Sequence, residues 1–357
     1  MAVKPWIKTG SGEKLLRPEA KRRTTIDEVA AKAGVSIKTV SRVFNNEPNV
    51  RPKTKDKVME AARELNYRPN VSARRLAANR SFVIGLLYDN PQSDYVISVQ
   101  EGALEVCRQE GYHLLIHPCK SDAPDFIEDA LGLFNQSTVD GYILTQPISE
   151  HQGLLEALDE AGAHVVHISQ RHREHSPCIA VDDEQAAEEV IRYLLSRGHK
   201  RIGFIMGHPD HGSSHDRLAG YQNAMLAAGL PVEDELIEKG LYNFESGYAC
   251  ARRLLSLASR PTAIFASNDH MAMGVLTAAH EKKLEIPKDL SVCGFDDVPM
   301  ARYAWPSLTT VRQPVKQVAR LATETLLQLI KKRDDVRQLV TLHSELVKRA
   351  STGDAPG

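Results

Sequence analysis

The sequence predicts a small all-α domain followed by a larger α/β body with parallel sheets. Residues 24–67 show helical periodicity, and from Phe82 onward strand-like segments alternate with helical ones. The length of 357 residues also exceeds what a single core usually organises. Residues 1–80 hold 19 Lys and Arg against 8 Asp and Glu, whereas residues 81–357 hold 26 against 38. A basic head on an acidic body is typical of a nucleic-acid-binding domain attached to a domain with another role.

The first 23 residues have no helical or strand periodicity and no apolar signal-peptide core. We expect residues 1–23 to form a basic flexible arm. No segment of the sequence is long and apolar enough to span a bilayer. We therefore expect a cytoplasmic protein with no membrane partner.

The segment TIDEVAAKAGVSIKTVSRVFN at 25–45 predicts two short helices joined by a tight turn. Thr25 can cap the first helix, with Glu28 three residues on completing a capping box. Gly34 fits the turn, and Ser36 fits the N-cap of the second helix. Together with a third helix, these two are expected to form one domain at 24–67 with the following apolar side chains inward: Ile26, Val29, Ala30, Ala33, Val40, Val43, Phe44, Val58, Met59, Ala62 and Leu65.

The second predicted helix presents a small polar face of the kind that enters the DNA major groove. Arginine paired with guanine is the commonest specific contact, so we expect Arg42 to read a base. An ordinary alanine-rich amphipathic hairpin with a solvated Lys and Arg face is the alternative. The residues of this segment that we expect to contact DNA are Thr25, Ser36, Ile37, Lys38, Thr39, Ser41, Arg42 and Asn45.

The alternation of strands and helices in the body is the βαβ pattern of parallel sheets. Helical stretches such as 97–110 and 184–197 separate the strand-like segments. The candidate strands are 82–88, 113–117, 141–145, 164–168, 201–206, 262–266 and 291–295.

Catalytic and metal-binding motifs are not found in the sequence. The five cysteines are scattered without a CxxC pair, and no GxSxG, Walker, HExxH or strand-linked GxGxxG motif occurs. The group HPDHGSSHD contains His208, His211 and His215 with Asp216, but its spacing matches no helix-borne ligand pair and its composition indicates a loop. We therefore predict no metal, no cofactor and no enzyme activity.

Head, connector and body together resemble the LacI-GalR family of transcription regulators over roughly residues 24–350. The matching segments follow one another in order: TIDEVAAKAGVSIKTVSRVFNN, KVMEAARELNYRPN, NVSARRLA, HKRIGFIMG, RLAGY, PTAIFASNDHMAMG, SVCGFDD and PSLTTVRQP. The resemblance implies a helix-turn-helix domain at 24–67, a hinge at 68–80 and a two-lobed, periplasmic-binding-protein-like core at 81–350 that binds effector and dimerises. It implies lobe 1 at about 81–180 and 312–340, lobe 2 at about 181–311 and 341–350, and a tail at 351–357.

The hinge segment NVSARRLA is too short to hold as a helix in isolation. The resemblance implies that it becomes helical only when two chains meet over DNA, where a leucine wedges into the minor groove. By position that leucine is Leu76, and Asn70 and Ala73 are the further expected DNA contacts. The alternative is a plain basic linker whose Arg74 and Arg75 touch phosphates.

Ligands of open parallel sheets bind beyond the carboxyl ends of the strands. This rule and the resemblance select the same effector residues: Asp89, Tyr95, Ser169, Arg217, Asn268 and Asp296. The resemblance implies that Arg217, Asn268 and Asp296 hydrogen-bond the effector and that Tyr242 stacks on it. The alternative is structural, with Asp296 capping the next segment and Arg217 bracing a loop.

Polar groups around an aromatic face suit a sugar ring, so we expect a sugar or glycoside effector rather than a purine. Ser169 departs from some sugar-binding relatives, which carry an acid there.

The sequence thus predicts a ligand-responsive, sequence-specific repressor of carbohydrate-utilisation genes that is released by a sugar inducer. It is expected to bind palindromic operator DNA as a homodimer, because one helix-turn-helix reads only a few base pairs. A co-repressor-dependent regulator with a non-sugar ligand is the alternative. A sugar-binding receptor without a DNA role would not explain the basic head.

Overall fold

Three short helices, α1 (Ile26–Ala33), α2 (Ile37–Phe44) and α3 (Pro52–Glu64), form the first of two units in the computed structural model of the protein. The chain divides between Asn79 and Arg80. The structure describes residues 24–44, 50–67, 80–90, 92–136, 138–169, 176–332 and 338–357. The predicted arm at 1–23 and the expected DNA contacts Asn45, Asn70, Ala73 and Leu76 lie outside these residues.

The boundaries of α1 and α2 follow the predicted capping. The backbone N–H of Glu28 donates to Oγ1 of Thr25 (3.4 Å), and the backbone N–H of Thr25 donates to Oε2 of Glu28 (2.9 Å), which completes the capping box. Gly34 ends α1 in the left-handed region, with φ of 65°. Oγ of Ser36 then accepts from the backbone N–H of Thr39 (3.1 Å) and so caps α2.

The core of the first unit is aliphatic. One residue predicted to lie in it, Met59, does not. Met59 is 37% exposed, although the sequence analysis placed it inward. Residues three and four apart share a helix face, so α3 turns Val58, Ala61 and Ala62 inward and Met59 lies about 100° away. The buried side chains of this core are Val29, Ala30, Val40, Val43, Val58, Ala61 and Ala62.

The second unit alternates strands and helices. Its described strands are β1 (Val83–Tyr88), β2 (His113–Pro118), β3 (Tyr142–Leu144), β4 (Val165–Ile168), β5 (Cys178–Val181), β6 (Ile202–Met206), β7 (Ile237–Lys239), β8 (Ala263–Ala266), β9 (Ser291–Cys293), β10 (Thr310–Arg312), β11 (Leu339–Leu342) and β12 (Glu345–Val347). Its described helices are α4 (Ser93–Glu110), α5 (Phe126–Asn135), α6 (Gln152–Glu160), α7 (Asp183–Ser196), α8 (Gly212–Ala227), α9 (Phe244–Leu254), α10 (Asp269–Glu281), α11 (Pro299–Tyr303) and α12 (Val315–Ile330).

Two parallel sheets define two lobes. The first lobe contains a six-stranded sheet in the order β11-β5-β4-β3-β1-β2, and the second contains a four-stranded sheet in the order β7-β6-β8-β9. Strands β10 and β12 pair antiparallel, and β10 also bonds the segment that follows β9. Central strands such as β6 are buried throughout, because helices cover both faces of the sheets.

The chain crosses between the lobes three times, after β5, after β10 and after β11. The first two crossings fall near Val181 and Arg312. The third differs from the expected boundary at 340, because β11 continues to Leu342 and pairs with β5 of the first sheet.

The segment expected to be a tail is instead packed into the second lobe. Ser351 is fully buried, its backbone N–H donates to the carbonyl of Ser307 (2.9 Å), and its carbonyl accepts from Val292 (2.9 Å). The small hydroxyl side chain explains this placement, since Oγ of Ser351 donates to the carbonyl of Val292 (2.6 Å). Through the described part of the chain, no helix is both long enough and apolar enough to cross a membrane.

Candidate functional site

A cleft lies between the two lobes at the carboxyl ends of their strands. It encloses a cavity of about 30 Å³. Small-molecule sites usually enclose several hundred Å³, so this cleft is nearly closed. Each described residue that lines it is polar or aromatic: Asn90, Gln92, Tyr95, Gln146, Ser169, Asp183, His211, Ser213, Arg217, Tyr242, Asp296 and Gln313.

Arg217 lies in the first half of α8 and is 4% exposed. Its Nε donates to Oδ1 of Asp183 (2.7 Å), its Nη1 donates to the carbonyl of Ser267 (2.5 Å), and its guanidinium lies 3.7 Å from the ring centroid of Phe295. Burial raises the pKa of Asp183, although Arg217 opposes that shift. Arg217 therefore braces the second lobe, as the structural alternative expected, and it also faces the cleft, where contact with an effector stays a prediction.

Asp296 presents an unsatisfied acceptor. Its Oδ1 accepts from Nε2 of Gln313 (2.6 Å), whereas Oδ2 is buried with no hydrogen-bond partner among the described residues. Burial raises the pKa of Asp296 from 3.8 to about 7, against the opposing effect of Arg217. A buried acceptor left unsatisfied is unfavourable, so a ligand donor at Oδ2 would be stabilising.

Two tyrosines supply the aromatic walls. Tyr242 is 5% exposed, and its hydroxyl oxygen accepts from Oγ of Ser214 (2.8 Å). Its ring packs directly on Gly207, where any Cβ would overlap the ring atoms. Tyr95 at the start of α4 faces the same cavity, and burial raises its pKa well above the ordinary value.

His211 lines the cleft as a neutral ring. Burial lowers its pKa from 6.5 to about 4, with His208 and Arg217 adding to the effect. Its ring meets the edge of Tyr242 with centroids 5.3 Å apart. Nε2 of His215 instead bonds the carbonyl oxygen of Pro209 (2.8 Å). No group of three His, Cys, Asp or Glu suited to a metal occurs in the part of the chain that the structure describes.

Five of the expected effector residues line the cleft, namely Tyr95, Ser169, Arg217, Tyr242 and Asp296. They come from both lobes. Several lining residues were missed by the sequence analysis, although the carboxyl-end rule could have found those that follow β3, β5 and β10. The missed residues are Asn90, Gln92, Gln146, Asp183, His211, Ser213 and Gln313.

Asp89 and Asn268 do not line the cavity, contrary to expectation. Oδ2 of Asp89 accepts from the backbone N–H (2.9 Å) and Oγ (2.7 Å) of Ser121. Oδ1 of Asn268 caps α10 by accepting from the backbone N–H of Met271 (2.9 Å), and its Nδ2 donates to the carbonyl of Tyr242 (2.9 Å). A polar residue after a strand can cap the next helix as well as bind a ligand, and Asn268 acts on the cleft by holding Tyr242.

The α2 surface of the first unit carries the described DNA-contact candidates. Ser36, Ile37, Lys38 and Arg42 are exposed, with Ile37 at 48%, and Thr25 is exposed at the start of α1. Thr39 and Ser41 are half-buried, and Oγ1 of Thr39 bonds Oγ of Ser36 (2.9 Å). This surface carries short polar, basic and apolar side chains, and those are the types with which DNA-binding helices contact bases.

Comparisons with known families match both units. Residues 25–70 match the bacterial regulatory proteins of the lacI family, and residues 191–352 match the periplasmic binding protein-like domain. The HTH-type transcriptional repressor PurR of Klebsiella pneumoniae (strain 342) is 34% identical over 336 residues, covering 93% of this chain and 98% of that protein. PurR of Edwardsiella ictaluri (strain 93-146) is 36% identical over 339 residues, with the same coverage.

Solved structures give the same result. A lac repressor dimer bound to operator and the anti-inducer ONPF is 27% identical, covers 93% of this chain and 100% of its own, and superposes with a TM-score of 0.76. A complex of the transcriptional regulator CelR with cellobiose is 28% identical, covers 92% and 100%, and has a TM-score of 0.71. The chain has a helix-turn-helix unit and a two-lobed core, and the PurR relatives match it over nearly its whole length. It therefore belongs to the LacI family of bacterial regulatory proteins and is a DNA-binding transcriptional repressor.

Proposed function

We propose that the protein is a ligand-responsive repressor whose effector is an uncharged sugar or glycoside held in the interlobe cleft. The observation that carries this proposal is the buried, unpartnered Oδ2 of Asp296 in a cleft walled by polar side chains from both lobes. A hydroxyl group of the ligand would donate to this oxygen.

The lining favours a polyhydroxylated ring. Four carboxamides face the cleft, and each one can both donate and accept a hydrogen bond. Hydroxyl groups have the same dual capacity, so a sugar could bond several of these groups at once, apart from Gln146, whose Oε1 and Nε2 already bond groups of the protein. Tyr95 and Tyr242 would cover its apolar faces. The carboxamides are those of Asn90, Gln92, Gln146 and Gln313.

A purine is the second candidate. Relatives named PurR match over nearly the full chain, which favours such a ligand. The cellobiose complex of CelR favours the sugar. The two candidates differ in which ligand groups would bond the carboxamides of the cleft.

The experiment is a melting-temperature screen of the purified full-length protein. The panel holds glucose, galactose, cellobiose, lactose and maltose, together with hypoxanthine, guanine and adenine. A ligand that binds only the folded state raises the melting temperature by mass action, by several degrees at a hundred-fold excess over Kd. A shift with a sugar alone supports the proposal, whereas a shift with a base alone replaces the sugar by a purine.

The DNA-binding form is proposed to be a homodimer on a palindromic operator, with α2 in the major groove and Leu76 as the minor-groove wedge. Tyr303 and Trp305 on the second lobe are 84% and 97% exposed, as expected of side chains that a second copy would cover. The contact residues proposed for DNA remain those chosen from the sequence. The effector is proposed to act as an inducer, by changing whether two hinge segments can pair.

A further inference from the structure

Residues of the two lobes meet beside the effector cleft. Gln146 follows β3 of the first lobe, and Glu150 lies one turn further on. Opposite them, Gly212 and Ser213 are the first residues of α8 in the second lobe. We call these four residues the latch.

Gln146 joins both sides of the latch. Its Oε1 accepts from the backbone N–H of Ser213 (3.1 Å), and its Nε2 donates to Oε1 of Glu150 (3.0 Å) and to the carbonyl of Ser169. Gln146 is 7% exposed and Ser213 is 9% exposed. These hydrogen bonds are shielded from water, which makes them costly to break without replacement.

Glu150 adds charge to the same contact. Its carboxylate lies so close to Gly212 that a Cβ at that position would overlap Oε1 of Glu150. The first turn of α8 contains no acidic residue of its own. A carboxylate at a helix N-terminus is stabilised by the exposed N–H groups and the helix dipole, and here it is supplied by the opposite lobe.

The latched cleft has little room. A cavity of about 30 Å³ can hold water, but a hexose or a base needs several times more space. Entry of such a ligand therefore requires the lobes to move apart at the point where the latch joins them. A second interlobe contact, between Nε2 of His270 and Oδ2 of Asp94, is looser at 3.7 Å.

We propose that Gln146 and Glu150 form an interlobe latch on the N-terminus of α8 that holds the effector cleft closed. The inference rests on the proposed function, in which this cleft receives the effector. The latch sets how often the cleft opens, and so it is a positioning device that tunes the response to any ligand of this site.

The test measures opening without a ligand, by hydroxyl-radical footprinting of the full-length protein with mass spectrometry. Two variants break the latch from opposite lobes: Glu150→Gln removes the charge, and Gly212→Ala displaces the carboxylate. Glu160→Gln, at an exposed site at the end of α6, is the matched control. Tyr242 reports on the cleft, while Tyr142 and Tyr221, both fully buried in the lobe cores, report on unfolding.

The oxidation rate of Tyr242 should rise about three-fold in both latch variants, with Tyr142, Tyr221 and the control variant unchanged. A wild-type rate at Tyr242 in both variants would overturn the latch. Equal acceleration at Tyr142 and Tyr221 in both variants would also overturn it, because the contact would then support the fold and not closure. Where only one variant loses its fold, the other decides.

This outcome is independent of the effector screen. Footprinting uses no ligand, so the latch can fail while a sugar still raises the melting temperature. Conversely, the latch can hold in a protein that binds none of the sugars.

Discussion

Arg217 and Asp183 form a buried ion pair between the second turn of α8 and the first turn of α7, two neighbouring helices of the second lobe. Nε of Arg217 lies 2.7 Å from Oδ1 of Asp183, and each side chain is only 5% exposed. Asp183 is also the first residue of α7, directly after the chain enters the second lobe from β5. The pair therefore fixes the start of the second lobe and one wall of the effector cleft together.

Removing one member of this pair should destabilise the protein strongly. Arg217→Ala leaves Asp183 buried without its counterion, and the expected loss is about 3–5 kcal/mol in the free energy of unfolding. Arg192→Ala is the matched control, because its ion pair with Glu188 is on the surface and should contribute less than about 1 kcal/mol. Urea unfolding measures both. Equal losses in the two variants would contradict the role assigned to burial.

Asp296 should give the protein a pH-dependent stability that its amide variant lacks. Because the pKa of Asp296 is raised to about 7 in the folded state, the folded protein binds this proton more tightly than the unfolded chain does. Stability from this group therefore falls as the pH rises from about 4 to about 7. Asp296→Asn should gain stability relative to wild type over that range, by at most about 1.4 kcal/mol per pH unit.

Thermal or urea unfolding of both proteins across this pH range checks the prediction. His211, whose pKa is lowered to about 4 by burial, contributes to both proteins and cancels in the difference. Asp269 does not cancel, because burial and the Asp296 carboxylate both raise its pKa, and its contribution to the difference has the same sign as that of Asp296. A difference that does not change with pH would mean that Asp296 titrates as an ordinary carboxyl group.

Gly207 should be intolerant of any side chain. A Cβ there would overlap the ring of Tyr242, so Gly207→Ala must displace the ring from the cleft or strain the loop after β6. Overpacking of this kind costs about 1–3 kcal/mol. Gly132→Ala is the control, since its added Cβ would meet nothing closer than 3.8 Å and the residue lies inside α5. Thermal unfolding measures both variants, and Gly132→Ala should be as stable as the wild type or slightly more stable.

Most strands that the sequence predicted have a strong local signal, although β5, with the apolar sequence CIAV, was not among the candidates. Strands such as β6 and β8 are continuous apolar runs, since both of their faces are buried. Strand β7, with the sequence IEK, and β12, with ELV, have no such pattern. They are strands because a distant partner pairs with them, as β10 does with β12, and pairing between distant segments leaves no local signature.

The cleft shows a similar division. Asp296 follows from the rule that ligands collect where parallel strands end, whereas Arg217 lies inside α8 and is better accounted for by the family resemblance. Asn268 satisfies the same rule but is used as a helix cap, and only the hydrogen bonds to Met271 and Tyr242 reveal this. Gln146 follows β3 and satisfies the rule as well, but its hydrogen bond to the backbone N–H of Ser213 joins two lobes, and no single segment of sequence encodes that contact.

Arg42 should contribute to sequence discrimination on DNA and not only to general affinity. It is exposed on α2, where an arginine can pair with guanine, so Arg42→Ala should cost about 1–3 kcal/mol on the preferred operator and relax selectivity at one base pair. Lys32→Ala is the control, because Lys32 lies on α1 in a surface ion pair with Glu64. The operator is first obtained by selection from random duplexes, and both variants are then titrated on it and on random DNA at several salt concentrations. If Arg42→Ala weakened binding to the operator and to random DNA by the same factor, Arg42 would be a phosphate contact, and its salt slope would fall by about one.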